Sequence, residues 1–482
     1  MFRSLPADKD AYITDKVIKG TRKTSANVGA AATLDLFKLY GMTTSGSTPN
    51  TELSRALIHF DLSQLRSLIA AGQVDVGSPS FWCKLRMRDV YGGQTTPTEF
   101  TVTVNPLSTS FYEGYGKDVV YFSNGDAACW LSSSRGVLWA TPGCGNPTSD
   151  FIGSLSSSQY FRVGDEDLSV DVTTMVSSAL AGAIPDAGFR VALSSSHETD
   201  TQTYFVKRFG SRTVYDERKR PSLEFGYDDS VVDDSQNMYF DVSCSISAYN
   251  YVGGVATNFY SGAPLTGSNC VAVRLETPVS GGVFSAVFSG SQVKTGIYTT
   301  SVTLPSAPVT TEIAHSGTLN FTPIWLAPDL VTALFTGSSL PVRLSDRGTS
   351  ARSLQNLIVS VTNARESYYP DSDIVFNVNI FDQSSPMVTV VKVPSTIPGI
   401  VMKSVFYRIR DVATNAVIVP FDDVTNSTKV SSDATSMFFV ASTSPLTHGR
   451  TYEIDIMIKS FSESRVFLSA SPPFRVEDSP TS

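Results

Sequence analysis

Short strand-forming runs follow one another along almost the entire chain. Val, Ile, Thr, Phe and Tyr cluster in segments that alternate in polarity and stop at Gly, Pro, Asn, Asp or Ser. Phe100–Val104, Leu354–Val361, Ile374–Phe381 and Thr451–Ile458 are examples. In the last, Tyr452, Ile454, Ile456 and Ile458 share one face while Glu453, Asp455 and Met457 share the other, which is the pattern of half-buried antiparallel sheet. A period of two does not serve a helix, so an all-β protein is predicted. Two segments break the pattern. Ser63–Gly72 opens on a Ser suited to capping and ends at Gly. Asp171–Gly182 carries Val172, Met175, Val176, Ala179 and Leu180 at helical spacing, with Asp171 placed to accept backbone amides, worth about 1 kcal/mol.

At 482 residues the chain exceeds one compact domain. The acidic stretch Tyr227–Ser235 and the polar stretch Ser345–Arg352 read as boundaries. They divide the chain into residues 1–227, 228–346 and 347–482. The expected architecture is an N-terminal jelly-roll-like β-sandwich followed by two immunoglobulin-like sandwiches, which the last two blocks suit in size and strand spacing.

Composition removes several functions. The net charge is -8, and the nearest approach to a basic run is Arg218-Lys219-Arg220, so no nucleic-acid partner is expected. No apolar stretch at the start has signal-peptide length, and no window approaches the roughly 20 apolar residues of a membrane span. Membrane insertion is therefore not expected, and synthesis in a host cytoplasm followed by release in a virus particle is one route to an extracellular role. Five cysteines, Cys83, Cys129, Cys144, Cys244 and Cys270, form an odd set without CxxC spacing. They read as mostly buried free thiols; Cys129 and Cys144 could be bridged if a loop folds back.

The first block resembles the disaggregatase-related (DNRLRE-type) β-sandwich family. Ala7-Asp8-Lys9-Asp10-Ala11-Tyr12-Ile13, then Asn27-Val28-Gly29 and Thr33-Leu34, are similar to the start of that domain. Ser54-Arg55-Ala56-Leu57-Ile58-His59-Phe60-Asp61-Leu62-Ser63 is close to its "R-x-L-l-r-F-D-L-S" strand. Leu168–Val176 is similar to its strand-to-helix element, Gly188–Leu193 to a following strand, and Arg220-Pro221-Ser222-Leu223-Glu224-Phe225 to its terminal strand. Where the family has a Trp-rich middle segment, this chain has Phe111-Tyr112-Glu113-Gly114 and Trp130 through Trp139 with long insertions. The resemblance implies a binding or scaffolding sandwich of the kind found in polysaccharide-active proteins and in tailed-phage virions, and it implies no chemistry.

No catalytic constellation is legible. His59, His197, His315 and His448 show no ligand spacing, and nucleophile elbows, phosphate loops and dinucleotide fingerprints are absent. His59 reads as a satisfied sheet histidine and His197 as part of a polar hairpin tip. Asp165-Glu166-Asp167, Asp228-Asp229 and Asp371-Ser372-Asp373 read either as Ca²⁺ loops or as solvated turns. The chain is thus expected to be no enzyme and to need no cofactor. Tyr112, Tyr115, Tyr121, Phe122, Trp130 and Trp139 crowd one Gly- and Ser-rich insertion. Such aromatics either offer a ligand or partner surface or close one end of the sandwich as a satellite core. The expected function is structural or attachment work in a larger assembly: a virion neck, tail or capsid-surface component, homo-oligomeric and touching other virion proteins. A carbohydrate-binding module is the alternative, with a glycan as ligand.

Overall fold

The computed structural model describes residues 1–45, 48–90, 96–235, 237–344, 354–383, 400–433, 436–460 and 463–477. The protein is all-β, with a few short helices. By its contacts it divides into two units, one of Arg3–Arg66 with Phe81–Gly226, the other of Met1–Phe2, Ser67–Ser80 and Tyr227–Ser482. The boundary stretch at 345–352 lies outside the described residues.

In the first unit one large sheet runs in the order Ser157–Phe161, Phe100–Pro106, Phe189–Leu193, Thr48–Phe60, Phe2–Thr14, Ser222–Gly226, Trp82–Met87 and Leu168–Asp171. Thr33–Ser45 also pairs with Thr48–Phe60 and carries Tyr204–Gly210 on its other edge. The sheet bends because the register slips between Ala7 and Lys9, opposite Phe60 and His59. An extra residue on one strand bends it locally and increases its right-handed twist. The two ends of the sheet then meet through side chains: Gln159 donates to the Asp167 carbonyl (2.8 Å) and accepts the Ser169 amide (2.7 Å), and the Ser157 hydroxyl donates to the Asp171 carbonyl. Phe100, Phe161 and Phe209 fill the interior, the first two stacked at 5.0 Å.

Helices form at Ser63–Ala70 and Thr173–Leu180, both within the segments expected to be helical. Asp171 accepts the Thr173 amide (2.8 Å), the expected role. At the first helix Asp61 accepts the Ser63 amide (2.9 Å), so a carboxylate two residues upstream takes part in the cap. The expected hairpin tip at His197 is instead a short helix, Ser195–Thr199.

In the second unit, strands between Met238 and Arg343 form an eight-stranded sheet over a core that includes Phe240, Ile246, Tyr298, Phe321 and Trp325. Between Leu357 and Val476 two sheets face each other, with Phe439 of one stacked on Tyr407 of the other at 4.1 Å. Thr451–Lys459 departs from half-burial: Asp455 and Met457, expected on a solvated face, are buried. For Asp455 the reason is electrostatic. Arg408 and Arg410 of the neighbouring strand Val405–Asp411 cover Asp455, with Oδ2 at 2.7 Å from Arg408 and 3.3 Å from Arg410. Charge pairing thus lets an apparently polar face pack.

Candidate interaction surface

The aromatic insertion lies over one face of the first unit's sheet, and its foundation is an ion pair. Arg55, projecting from Thr48–Phe60, takes both oxygens of Glu198 from the short helix Ser195–Thr199 (2.8 and 2.7 Å). Its remaining terminal nitrogen donates to the Gly143 carbonyl (2.5 Å), and its guanidinium lies 5.2 Å from the Trp130 ring. Burial opposes the charge on Arg55, yet the Glu198 carboxylate more than compensates, and the guanidinium pKa is raised. Trp130 and Trp139, 8% and 4% exposed, join Ile13, Leu57, Leu107, Phe111 and Cys144 in a compact apolar cluster. The Trp139 indole donates to the Cys129 carbonyl (2.9 Å). Buried Asp150 gathers the amides of Ala140, Thr141 and Asn146, which folds the loop onto that cluster.

Above this layer a second hub holds the tyrosine loop. The buried Asn27 side chain donates to the carbonyls of Glu113 (2.7 Å) and Ala128 (2.9 Å) and accepts the Gly116 amide (2.8 Å). Two glycines make this approach possible. Gly114 has φ +79°, and a Cβ at Gly114 or Gly116 would collide with Asn27. Glu113 is clamped by the Arg212 guanidinium and accepts the Asp10 amide (2.9 Å). Asp10 is itself sealed from water, and burial, reinforced by the charge of Glu113, pushes its carboxyl up to about 7 despite the Arg212 amide at 2.6 Å.

The same insertion therefore sorts its aromatics into two layers. The tryptophans lie within the apolar cluster, whereas Tyr112, Tyr115 and Tyr121 face solvent at 45%, 75% and 84% exposure. Tyr112 and Tyr115 bring their hydroxyls within 3.5 Å, and Asp118 holds the turn before Tyr121 by accepting the amides of Val120 and Tyr121. Sequence reasoning found the aromatics but missed their supports, Asn27, Arg55 and Arg212. Asn27 and Arg55 stand within the stretches Asn27-Val28-Gly29 and Ser54–Ser63 that the sequence singled out, which was the available signal.

Four of the other sequence candidates are held by partners of their own. His59 meets Asp8 at 2.6 Å, and His197 meets the Ser194 hydroxyl at 2.5 Å. Glu166 accepts the amides of Arg162, Val163 and Gly164, and Asp167 pairs with Arg88. Among the described residues no group of three or more His, Cys, Asp or Glu side chains is arranged to hold a metal ion. All five cysteines are buried and free, so Cys129 and Cys144 are not bridged. No protein-family model and no curated protein matches the chain.

Proposed function

We propose that this chain is a non-enzymatic structural or attachment protein that works through protein–protein contacts in a larger assembly, with the Tyr112–Tyr115–Tyr121 loop as a contact surface. One observation carries the reading: three solvent-facing tyrosines stand on a loop whose backbone is held from below by Asn27. Aromatic side chains on a pre-ordered backbone bury much area on contact and lose little entropy. In this reading Trp130 and Trp139 serve the surface as its floor, and the chain is built as three β domains, a jelly-roll-like sandwich followed by two immunoglobulin-like ones. Tyr452 supports that last assignment, since its hydroxyl accepts the Thr447 amide (2.8 Å) and donates to the Thr447 carbonyl (3.0 Å), in the manner of a tyrosine corner.

The assembly we propose is a phage virion, on the resemblance of the first block, with homo-oligomerisation and contacts to other virion proteins. Mass spectrometry of particles purified from producing cells tests it. Recovery of the protein in stoichiometric amounts is expected, and its absence from the particles overturns the reading. The second reading, glycan attachment, is favoured by the same tyrosines, whose ring faces suit sugar rings. Glycan-array hits abolished in Tyr115→Ala and Tyr121→Ala would support it, and an empty array removes it.

A further inference from the structure

The eight-stranded sheet of the second unit does not close on itself. Between its edge strand Cys244–Tyr249 and the strands Thr318–Leu326 and Ala333–Thr336 it leaves a cleft of about 240 Å³. Pro323 and Trp325 line this cleft as buried residues, whereas Tyr249 and Phe335 line it with side chains 39% and 46% exposed, so solvent reaches it. The space is smaller than the roughly 300–1,000 Å³ of sites for drug-sized molecules, so the group it takes is small.

One carboxylate stands among these apolar walls. Asp233 lines the same cleft and is only 9% exposed. Among the described residues Ser235 alone bonds its side chain, through the Ser235 amide at 2.9 Å from Oδ1. No basic side chain among the described residues pairs with it, and Lys403 pairs with the neighbouring Asp234 instead (2.9 Å). A buried charge without a counter-charge is costly, and native proteins rarely keep one. Burial raises the Asp233 carboxyl above its usual range, the bonds from Ser235 pull it part of the way back, and the charges of Asp234 and Asp433 raise it again. Burial, with the charges of Asp233 and Asp433, also raises the Tyr249 phenol, which therefore stays a neutral hydroxyl. A cation in the cleft would relieve this accumulation of negative charge.

We propose that the cleft binds a primary alkylammonium group, its charge meeting Asp233 and its carbon stem lying along Phe335, Tyr249 and Trp325. An ammonium brings three donors to a carboxylate that has spare acceptor capacity, and aromatic rings attract organic cations. A neutral sugar would leave the carboxylate's charge uncompensated. A metal ion would find no group of three or more His, Cys, Asp or Glu among the described residues. The site does not depend on the tyrosine loop and stands whether or not that loop is a contact surface.

Saturation-transfer NMR on the full chain tests the proposal, with n-butylammonium as the probe and n-butanol as its neutral match, at an ionic strength held constant with sodium chloride. Saturable binding of butylammonium is expected, with butanol weaker by about tenfold or more, the difference made by one charged hydrogen-bonding partner. Nα-acetyl-lysine amide separates two sources of the same group: its binding admits the lysine side chain of a partner, and binding of butylammonium alone confines the cleft to free amines. Asp233→Asn keeps an oxygen for the Ser235 amide and removes the charge, and should weaken butylammonium about tenfold. Phe335→Ala removes a half-exposed ring and should weaken it about threefold. The proposal is overturned if butylammonium does not bind saturably, if butanol binds as well, or if either folded variant binds butylammonium as wild type does. Should Asp233→Asn fail to fold, the wild-type comparison with butanol and the Phe335→Ala variant still decide.

Discussion

The side-chain oxygen of Asn27 accepts the backbone amide of Gly116 at 2.8 Å across 89 residues of chain, while its nitrogen donates to Glu113 and Ala128. One fully buried amide thereby satisfies a donor and two acceptors of a loop that has no ladder of its own. Asn27→Ala leaves those three backbone groups unpaired in an apolar setting. A loss of about 2–3 kcal/mol of stability is expected, from the desolvation cost of orphaned polar groups. Denaturant unfolding checks it, together with faster proteolytic cleavage between residues 112 and 124.

The two aromatic layers should respond differently to truncation. Tyr115→Ala and Tyr121→Ala remove exposed rings and should change stability by less than about 0.5 kcal/mol. Trp130→Ala empties a space in the apolar cluster and strips the ring from Arg55, at a cost of about 3–5 kcal/mol. Equal effects at the two layers, measured by urea midpoints, would contradict the division between floor and surface.

Asp10 makes stability depend on pH in a definite direction. Its carboxyl titrates near 3.8 when unfolded and about 7 when folded, so between those values the native state holds a proton that the unfolded chain has released. Its contribution is therefore fully present below about pH 4 and is lost as pH rises through 7. Asp10→Asn keeps an oxygen for the Arg212 amide and removes the ionisation. The variant should show a flatter fall in stability from pH 4 to 7 than wild type, measured by urea unfolding across that range.

Lys207 is a buried cation with a complete shell. Its ammonium donates to Asp89 (2.6 Å) and to the carbonyls of Gly164 and Glu166 (both 2.8 Å), and it lies about 5 Å from the Phe161 and Phe209 rings. Lys38 repeats the device, bonding to the carbonyls of His197 and Asp200 and to the Asp200 carboxylate (2.6 Å). Lys207→Met strands a carboxylate and two carbonyls, and a loss of about 3 kcal/mol is expected. In a double-mutant cycle with Asp89→Ala the coupling should exceed about 1 kcal/mol. Simple additivity would show that the pair contributes nothing beyond packing.

Asp455 gives the parallel case in the other unit. Asp455→Ala would leave Arg408 and Arg410 facing each other without the charge between them. About 3 kcal/mol should be lost, the lower end for breaking a buried pair, because both arginines retain some contact with water. Asp455→Asn should recover part of the loss through its hydrogen bond from the Ser469 amide, now at 2.8 Å. Thermal unfolding of the two variants separates charge from hydrogen bonding.

The sequence by itself determined the β class, because alternation with period two is a local property that survives into the native sheets, as at Phe100–Pro106 and Asp373–Asp382. It also located the helices Ser63–Ala70 and Thr173–Leu180, the first from its opening Ser and closing Gly, the second from its apolar spacing and closing Gly. It identified the insertion that carries the aromatics but not which of them face water, since a loop without periodicity encodes no face. Only the tertiary structure decided that Trp130 packs beneath while Tyr121 projects. Only it decided that Lys38, Lys207 and Asp455, all polar by composition, are buried. Each of those outcomes depends on partners that other strands and loops deliver, such as Asp89 for Lys207 or Arg408 for Asp455. Long-range charge and hydrogen-bond pairing leaves no mark on the local pattern of a single segment.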